Sequence, residues 1–269
     1  MELAHSRKPF VGGNWKMNGT LLKIKQVAAE PCKRCPRLLT FVVDIVIAPP
    51  TPFLAPAMNT FPGAIMAVSA QNLNEKASGA FTGEHSAEML RELGVTWTIV
   101  GHSERRSLFC ESDELVCAKT ASAVNSGLSV IFCFGEPLET REAGMTWEYV
   151  SAQLKALFVS IEKAWDAAAR TKILERLLLA YEPIWAIGTG RVATPSQAQE
   201  IHALIRKSLA ENLGVEVASQ IRIIYGGSVN AKNCEVLSTQ PDIDGFLVGG
   251  ASLTSDFATI VQASMSTSS

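Results

Sequence analysis

The feature that most restricts the fold of this chain is a regular alternation of short apolar runs with amphipathic stretches. Runs rich in β-branched and aromatic residues predict eight strands, at 10–12, 41–47, 65–70, 96–100, 128–133, 177–181, 221–225 and 243–248. Helical periodicity and capping signals predict helices between them, at 20–29, 86–93, 112–126, 146–169, 195–213 and 230–237. Eight alternating units fit a closed parallel barrel better than an open sheet. We therefore predict an α/β fold, a single (β/α)₈ barrel.

Length and composition agree with one large domain. The chain has 269 residues, of which 47% are hydrophobic, and no linker-like or low-complexity stretch divides it. Two smaller domains would also fit the length. We expect the catalytic barrel to span residues 9–263, with a flexible N-terminal extension at 1–8 and a flexible tail at 264–269.

Charge and cysteine content indicate the class of partner and the compartment. A formal net charge of −2 excludes the basic field that nucleic-acid binding requires, so a small molecule is the expected partner. We expect neither a signal peptide nor a membrane span, because the apolar stretches are short or interrupted. Six scattered cysteines beside a full core predict reduced thiols and a cytoplasmic location. Cys32 and Cys35 lack a second ligand pair and are interpreted as a coincidence near a helix end, and no metal is expected.

Polar and glycine residues follow five of the predicted strands at their carboxyl ends, where barrels of this kind carry their chemistry. Asn14 and Lys16 follow the first strand, His102 follows the fourth, and Glu182 follows the sixth. Glycine-rich turns follow the seventh and the eighth. Each signal alone is compatible with a turn, a surface charge or a buried structural group. Their joint occurrence at matching strand ends favours one site.

The residue types at these strand ends predict proton transfer next to a carbonyl group. Glycine turns at helix starts bring backbone N–H groups to an anion, which predicts a phosphate site that includes Gly188. Glu182 is then placed as a general base, while His102, Asn14 and Lys16 stabilise an oxyanion. We expect His102 at the N-terminus of a short helix, whose dipole favours the neutral imidazole.

The segment after Glu182 is predicted to be a lid. Pro183 favours extended geometry at Glu182, and Gly188 provides flexibility in an otherwise apolar loop that can close over a small substrate. The predicted lid consists of Pro183, Ile184, Trp185, Ala186, Ile187, Gly188 and Thr189.

Six segments resemble those of the triosephosphate isomerase family, in the family's order. They are GGNWKMNG, FTGE, VGHSERR, AYEPIWAIGTG, YGGSV and LVGGASL, and the likeness runs from about Pro9 to Ala263. The resemblance implies interconversion of dihydroxyacetone phosphate and D-glyceraldehyde 3-phosphate through an enediolate, as in glycolysis and gluconeogenesis, without a metal or organic cofactor.

The resemblance also implies a role for each catalytic residue. Glu182 would move the proton, as the base. His102 would polarise the carbonyl and move protons between the oxygens, and Lys16 would supply positive charge with Asn14 beside it. These assignments are those of a well-known mechanism, in which a carboxylate base and a neutral histidine act beneath a closing loop.

Further residues are implied by the same resemblance. Ser103 and Glu104 would support the site from behind. The family is typically a homodimer, in which Thr82 of the long loop after the third strand lies near the partner's site. The residues implied to bind the substrate phosphate are Gly188, Ser228, Gly249 and Gly250.

Two alternatives stay open on the sequence. Another phosphate-binding barrel that isomerises or cyclises a sugar phosphate would need a different base or a metal set, and no His/Asp cluster at the predicted strand ends supplies one. A catalytically silent barrel kept as a binding protein would be marked by loss of Glu182, His102 or Lys16, and all three are present. The isomerase interpretation is therefore favoured.

Overall fold

A computed structural model of the protein describes residues 7–34, 42–166, 170, 174–189 and 192–265, with the backbone alone at 30–34. Within these residues, eight parallel strands pair in chain order, and the first strand also pairs with the last to close a barrel. The prediction of a (β/α)₈ barrel is confirmed. The strands are β1 (Phe10–Asn14), β2 (Asp44–Ala48), β3 (Met66–Ala70), β4 (Trp97–Val100), β5 (Ser129–Phe134), β6 (Leu177–Tyr181), β7 (Arg222–Tyr225) and β8 (Gly245–Val248).

Helices connect successive strands around the barrel. Every helix in the described ranges is too short or too polar to span a lipid bilayer. Short 3₁₀ turns lie at Thr51–Phe53, Ile184–Ala186 and Gly250–Leu253. The α-helices are α1 (Leu21–Arg34), α2 (Leu54–Thr60), α3 (Ala87–Glu92), α4 (Ser103–Leu108), α5 (Asp113–Asn125), α6 (Leu138–Glu142), α7 (Thr146–Ala164), α8 (Pro195–Leu213), α9 (Val215–Gln220), α10 (Cys234–Ser238) and α11 (Asp256–Met265).

Three helix boundaries differ clearly from the predicted ones. Helix α1 extends to Arg34, beyond the predicted end at residue 29. Helix α7 ends at Ala164, because Trp165 adopts extended geometry with φ −142° and ψ 143°. Helix α10 begins at Cys234 rather than at Asn230. Asn230 instead accepts a hydrogen bond from the Lys232 N–H and donates its own N–H to the Asn233 side chain, both at 2.9 Å. Such side-chain to backbone bonds compete with helix formation.

The described part of the N-terminal extension is fixed to the barrel by ion pairs. The Arg7 guanidinium lies 2.6 Å from Asp244. Lys8 pairs with Asp44 at the start of β2. Residues 1–6 lie outside the described part of the chain.

The start of the expected tail belongs to the last helix. Helix α11 includes Ser264 and Met265. The buried Ser264 hydroxyl donates to the carbonyl of Ile260 at 3.0 Å, one turn earlier. Residues 266–269 lie outside the described part of the chain.

Two apolar layers make up the core, one inside the barrel and one between the strands and the helices. Along β5, Ile131 and Cys133 face the interior, while Phe132 and Phe134 face the helices. Both faces of the strands are therefore apolar, as expected for a parallel sheet covered on both sides. Because the interior is filled by side chains, polar chemistry is restricted to the ends of the barrel.

Of the four cysteines whose side chains are described, three are buried and Cys110 is exposed. Burial raises the pKa of the Cys133 thiol. The side chains of Cys32 and Cys35 lie outside the described residues. The cysteines whose side chains are described are free thiols: Cys110, Cys117, Cys133 and Cys234.

His202 is a buried residue of helix α8. Its ring lies between those of Tyr181 and Tyr225, with centroid distances of 5.5 and 6.1 Å. Nδ1 donates to the carbonyl of Ala198 at 2.7 Å. Burial away from water lowers the pKa of His202 to about 4.

This buried ring predicts a pH-dependent stability. As the pH falls from 6.5 to about 4, the unfolded chain binds a proton at His202 that the folded chain does not. The contribution of neutral His202 to the free energy of unfolding is therefore complete above pH 6.5. It decreases as the pH falls through this window, by about 3 kcal/mol near the lower end. Urea unfolding across this range measures the decrease. In the control variant His202→Asn, which keeps a donor for Ala198, the dependence should be weaker; equal dependence in both chains would contradict the assignment.

Candidate active site

Glu182 lies directly after β6, and its carboxylate is 1% exposed. Oε2 accepts a hydrogen bond from the backbone N–H of Ser103 at 2.9 Å. Oε1 lies 3.1 Å from Nε2 of His102, but the two are not aligned as a hydrogen bond. Oε1 therefore has no hydrogen-bond partner among the described residues. A buried carboxylate oxygen without a partner is costly, and such groups are expected at functional sites.

His102 caps helix α4, as predicted. Its Nδ1 accepts the backbone N–H of Glu104 at 3.2 Å. An accepting Nδ1 carries no proton, so Nε2 carries the ring hydrogen and faces Glu182. The imidazole in this arrangement is neutral and presents one N–H group, which agrees with the expectation from the helix dipole.

Lys16 has a left-handed backbone conformation with φ +53°, which is strained for a residue with a side chain. Two side chains fix this conformation. The amide oxygen of Asn14 accepts the N–H of Lys16 at 3.0 Å. Nε2 of Gln71 donates to the carbonyls of Lys16 and Ala48, at 2.9 and 2.8 Å. The ends of β1, β2 and β3 together set the direction of the lysine side chain.

Glu104 connects the histidine with the lysine. Its backbone N–H donates to Nδ1 of His102, and its carboxylate forms an ion pair with the ammonium of Lys16 at 2.5 Å. The residues predicted from the ends of β1, β4 and β6 are thus joined through one network. Ser103 and Glu104 thus contact Glu182, His102 and Lys16 directly.

A cavity of about 370 Å³ opens above this network at the carboxyl ends of the strands. Gly249 lies beside Lys16: a Cβ built on this glycine would be 3.7 Å from the lysine Cε. The structure brings together all the residues predicted to be catalytic or to bind phosphate. Those that line the cavity are Asn14, Lys16, His102, Glu182, Gly188, Ser228, Gly249 and Gly250.

Two glycines allow neighbouring strands to approach Glu182. A Cβ on Gly135, directly after β5, would lie 1.7 Å from the carbonyl oxygen of Glu182. A Cβ on Gly226, directly after β7, would lie 2.8 Å from the Glu182 Cγ. Both positions therefore require glycine, because any larger residue would displace the carboxylate or its backbone.

The predicted lid segment (183–189) lies at the edge of the cavity, and Glu136 fixes its first turn. The Glu136 carbonyl accepts the N–H of Ile184 at 3.1 Å. Its buried carboxylate accepts from the indole of Trp185 at 2.8 Å and from the hydroxyl of Tyr181 at 3.0 Å. Desolvation by burial raises the pKa of Glu136. Further along, Ile187 and Gly188 line the cavity, and Gly188 has φ +69°.

Thr82, the residue predicted to lie near a partner's site, does not line this cavity. It lies exposed in the long loop after β3, in a run of exposed residues from 76 to 84. Phe81 beside it is 43% exposed. Gly190 and Arg191, which follow the lid, lie outside the described residues.

Three contributors were not predicted: Gln71, Glu136 and Gly135. Gln71 directly follows β3, and Gly135 and Glu136 directly follow β5. All three therefore carry the same signal as the predicted site residues, a polar or glycine residue directly after a strand.

Among the described side chains, no group of three or more His, Cys, Asp or Glu residues is arranged to bind a metal ion.

Comparison with known proteins identifies the family of this site. The model of the family described as triosephosphate isomerase matches residues 9–264. The chain belongs to the triosephosphate isomerase family. Membership makes it an isomerase of the aldose–ketose class.

Individual relatives are similar over nearly their whole length. A triosephosphate isomerase from Paracoccidioides lutzii is 51% identical over 260 residues, which cover 96% of this chain and 98% of the relative. The cytosolic triosephosphate isomerase of Oryza sativa subsp. japonica is 50% identical over 255 residues, 95% and 96% of the two chains. The Neurospora crassa protein of the same name is 48% identical over 260 residues, 97% and 100%.

The contact between Trp185 and Glu136 predicts how firmly the lid is fixed. Replacing Trp185 by Phe removes the indole N–H donor and keeps an aromatic ring at this position. We expect the amides of Ala186 and Ile187 to exchange about tenfold faster, since one charge-assisted hydrogen bond is lost. Hydrogen–deuterium exchange with mass spectrometry measures this.

The matched control for this measurement is Trp165→Phe. It removes the hydrogen bond of 2.8 Å that the Trp165 indole donates to Asn125. Neither residue belongs to the lid segment. Exchange in the lid segment should be unchanged in this variant. An equal increase in both variants, or none in Trp185→Phe, would contradict the assigned contact.

Proposed function

We propose that the chain interconverts dihydroxyacetone phosphate and D-glyceraldehyde 3-phosphate by proton transfer through an enediolate. The observation that carries the proposal is the unpartnered Oε1 of the buried Glu182. It lies at a cavity opposite an imidazole N–H, beside the glycine-rich ends of β7 and β8. Family membership favours the same reaction.

Glu182 acts as the base in this proposal. Its carboxylate removes a proton from the carbon next to the substrate carbonyl, and the electron pair of that C–H bond moves onto the carbonyl oxygen. The same carboxylate then returns the proton to the neighbouring carbon. Burial supports this role, because a carboxylate away from water keeps its position and needs little reorganisation during the reaction.

His102, Lys16 and Asn14 stabilise the negative oxygen. The Nε2–H of His102 donates to the oxygen as charge develops and then carries protons between the two oxygens of the enediolate. Lys16 adds a positive charge at the same end of the cavity, and Asn14 keeps its backbone in place. These preorganised donors are expected to supply a large part of the rate enhancement.

Backbone groups of three loops bind the phosphate in this proposal. Gly249 directly precedes the 3₁₀ turn and Gly250 begins it, so that backbone N–H groups at the start of the turn can bind an anion. Ser228, in the loop after β7, and Gly188, in the lid, line the same cavity. These four residues form the proposed phosphate clamp. The phosphate must approach the main chain closely to accept its N–H groups, which explains why three of the four are glycines.

The lid segment (183–189) closes over the bound substrate. Closure excludes water and keeps the phosphate in the plane of the enediolate, which disfavours its elimination as a side reaction. The proposed isomerisation has no net change of oxidation state, so it needs no redox cofactor. His102 and Lys16 supply the stabilisation of the negative oxygen that a metal could otherwise give, and we assign no metal or organic cofactor.

The chain is proposed to act as a homodimer. Loops that follow β1, β3 and β4 expose apolar side chains at the same face of the barrel: Met17 is 94% exposed, Phe81 43% and Phe109 63%. Exposed apolar side chains that share one face favour association with another protein surface. In such a dimer the loop with Thr82 lies against the partner's site.

The location proposed is the cytoplasm, as in the rice relative named cytosolic. The isomerase reaction there serves glycolysis and gluconeogenesis. No nucleic acid and no membrane is assigned as a partner.

The activity is tested with the wild-type chain, D-glyceraldehyde 3-phosphate and a coupled assay that contains a chelator. We expect saturable turnover. A folded protein without turnover would contradict the proposal and would favour another sugar phosphate or a binding role.

Glu182→Asp tests the base. The carboxylate retreats by one methylene, and we expect kcat to fall about 10²-fold, because proton transfer is sensitive to displacements of about 1 Å. Inhibition by inorganic phosphate should be unchanged. Glu148→Asp, the same change at an exposed position of α7, is the control and should behave as wild type. Equal loss of turnover and of phosphate inhibition in Glu182→Asp would contradict the role.

Phe109→Asp tests the dimer. Sedimentation analysis of the wild-type chain should give twice the mass of one chain, and the variant should raise the dimer dissociation constant about 30-fold or more. Val215→Asp, a change at a valine of α9 that is 76% exposed, is the control and should leave the dimer intact. A monomeric wild type at micromolar concentration would contradict the proposal.

A further inference from the structure

A buried amide interrupts the apolar inner face of helix α7. The buried residues of this helix recur at helical spacing, and most of them are apolar, including Val150 and Leu157. Gln153 lies in the same stripe and is 5% exposed. An amide at such a position is destabilising unless a specific hydrogen bond compensates for its desolvation. The bond that Gln153 forms therefore explains its place there.

The partner of Gln153 is a backbone group at the end of β5. Its Oε1 accepts the N–H of Gly135 at 2.9 Å, and the bond is buried. Gly135 is the residue whose Cα faces the Glu182 carbonyl so closely that no side chain fits between them. Gln153 thus binds a peptide group that packs directly against the backbone of Glu182.

The residues on either side of Gly135 also bind the segment around Glu182. The carbonyl of Phe134 accepts the Glu182 N–H at 2.8 Å, and the carbonyl of Glu136 accepts the Ile184 N–H at 3.1 Å. Gly135 is the centre of this tripeptide. A rotation of its peptide would therefore move both neighbouring acceptors, and with them the backbone of Glu182 and the first turn of the lid.

We propose that Gln153 is a positioning residue for the reaction. It fixes the peptide of Gly135 and thereby sets the location of the Glu182 carboxylate relative to the substrate. Gln153 does not line the cavity and acts only through Gly135 and Glu182. This inference rests on the proposed function and adds a residue to it.

The proposal predicts an effect on kcat rather than on KM. Substrate affinity is assigned to the phosphate clamp, which is built on β7, β8 and the later part of the lid. The end of β5 carries none of the clamp residues. A displaced Gly135 should therefore slow proton transfer and leave phosphate binding as it is.

Gln153→Met is the test variant, because methionine keeps the length and flexibility of the side chain and lacks the accepting oxygen. We expect kcat to fall about 10- to 100-fold, with KM and inhibition by inorganic phosphate within about twofold of wild type. Gln153→Glu offers an accepting oxygen in either protonation state and should restore kcat to within about threefold of wild type. If Gln153→Met does not fold, Gln153→Asn, whose oxygen is one methylene too distant, should show the same loss.

Val150→Ala is the matched control, since it removes packing from the same face of α7 and leaves the bond to Gly135 intact. It should lower thermal stability without lowering kcat. A kcat of Gln153→Met that equals that of Val150→Ala would overturn the positioning role. Parallel increases in KM and in the phosphate inhibition constant would also overturn it, as would a Gln153→Glu variant no better than Gln153→Met. A wild-type chain without turnover would overturn the proposed function itself, and this role with it.

Discussion

The buried carboxylate of Glu182 is the group on which the arrangement of the site depends. One of its oxygens is bound by the backbone N–H of Ser103, while the other has no hydrogen-bond partner among the described residues and faces the imidazole of His102. Burying a charged group with one unsatisfied oxygen is destabilising in isolation. The fold compensates by packing rigid strand ends around it, and this rigidity gives the carboxylate a defined position.

The barrel provides that rigidity through strands that are neighbours in space and distant in sequence. Gly135 and Gly226 follow the strands on either side of β6 and bring their backbones against Glu182. The hydrogen bonds from Asn14 and Gln71 compensate for the strained backbone of Lys16. The strained backbone of Lys16 and the unsatisfied oxygen of Glu182 thus both lie where the chemistry is proposed, and the contacts around each are identifiable.

Sequence reasoning predicted the barrel and the residues at the cavity because both follow from local patterns. Apolar runs mark the strands, and residues such as His102 and Glu182 directly follow them. The positions of Gln71 and Glu136 directly after strands are visible in the sequence, but their partners are not: Gln71 reaches Lys16, 55 residues earlier. Gln153 lies inside a helix, where no strand-end pattern marks it, and reaches Gly135, 18 residues earlier.

The measurement that tests the central claim most directly is isomerisation of dihydroxyacetone phosphate by the wild-type chain in deuterium oxide. A carboxylate that removes the proton exchanges it with solvent in part of the turnovers before returning it. The account therefore predicts D-glyceraldehyde 3-phosphate in which part of the molecules carry deuterium on the carbon that receives the proton, as seen by NMR. Product without any deuterium at that carbon, together with a Glu182→Asp variant as fast as wild type, would contradict the role of Glu182 as the base.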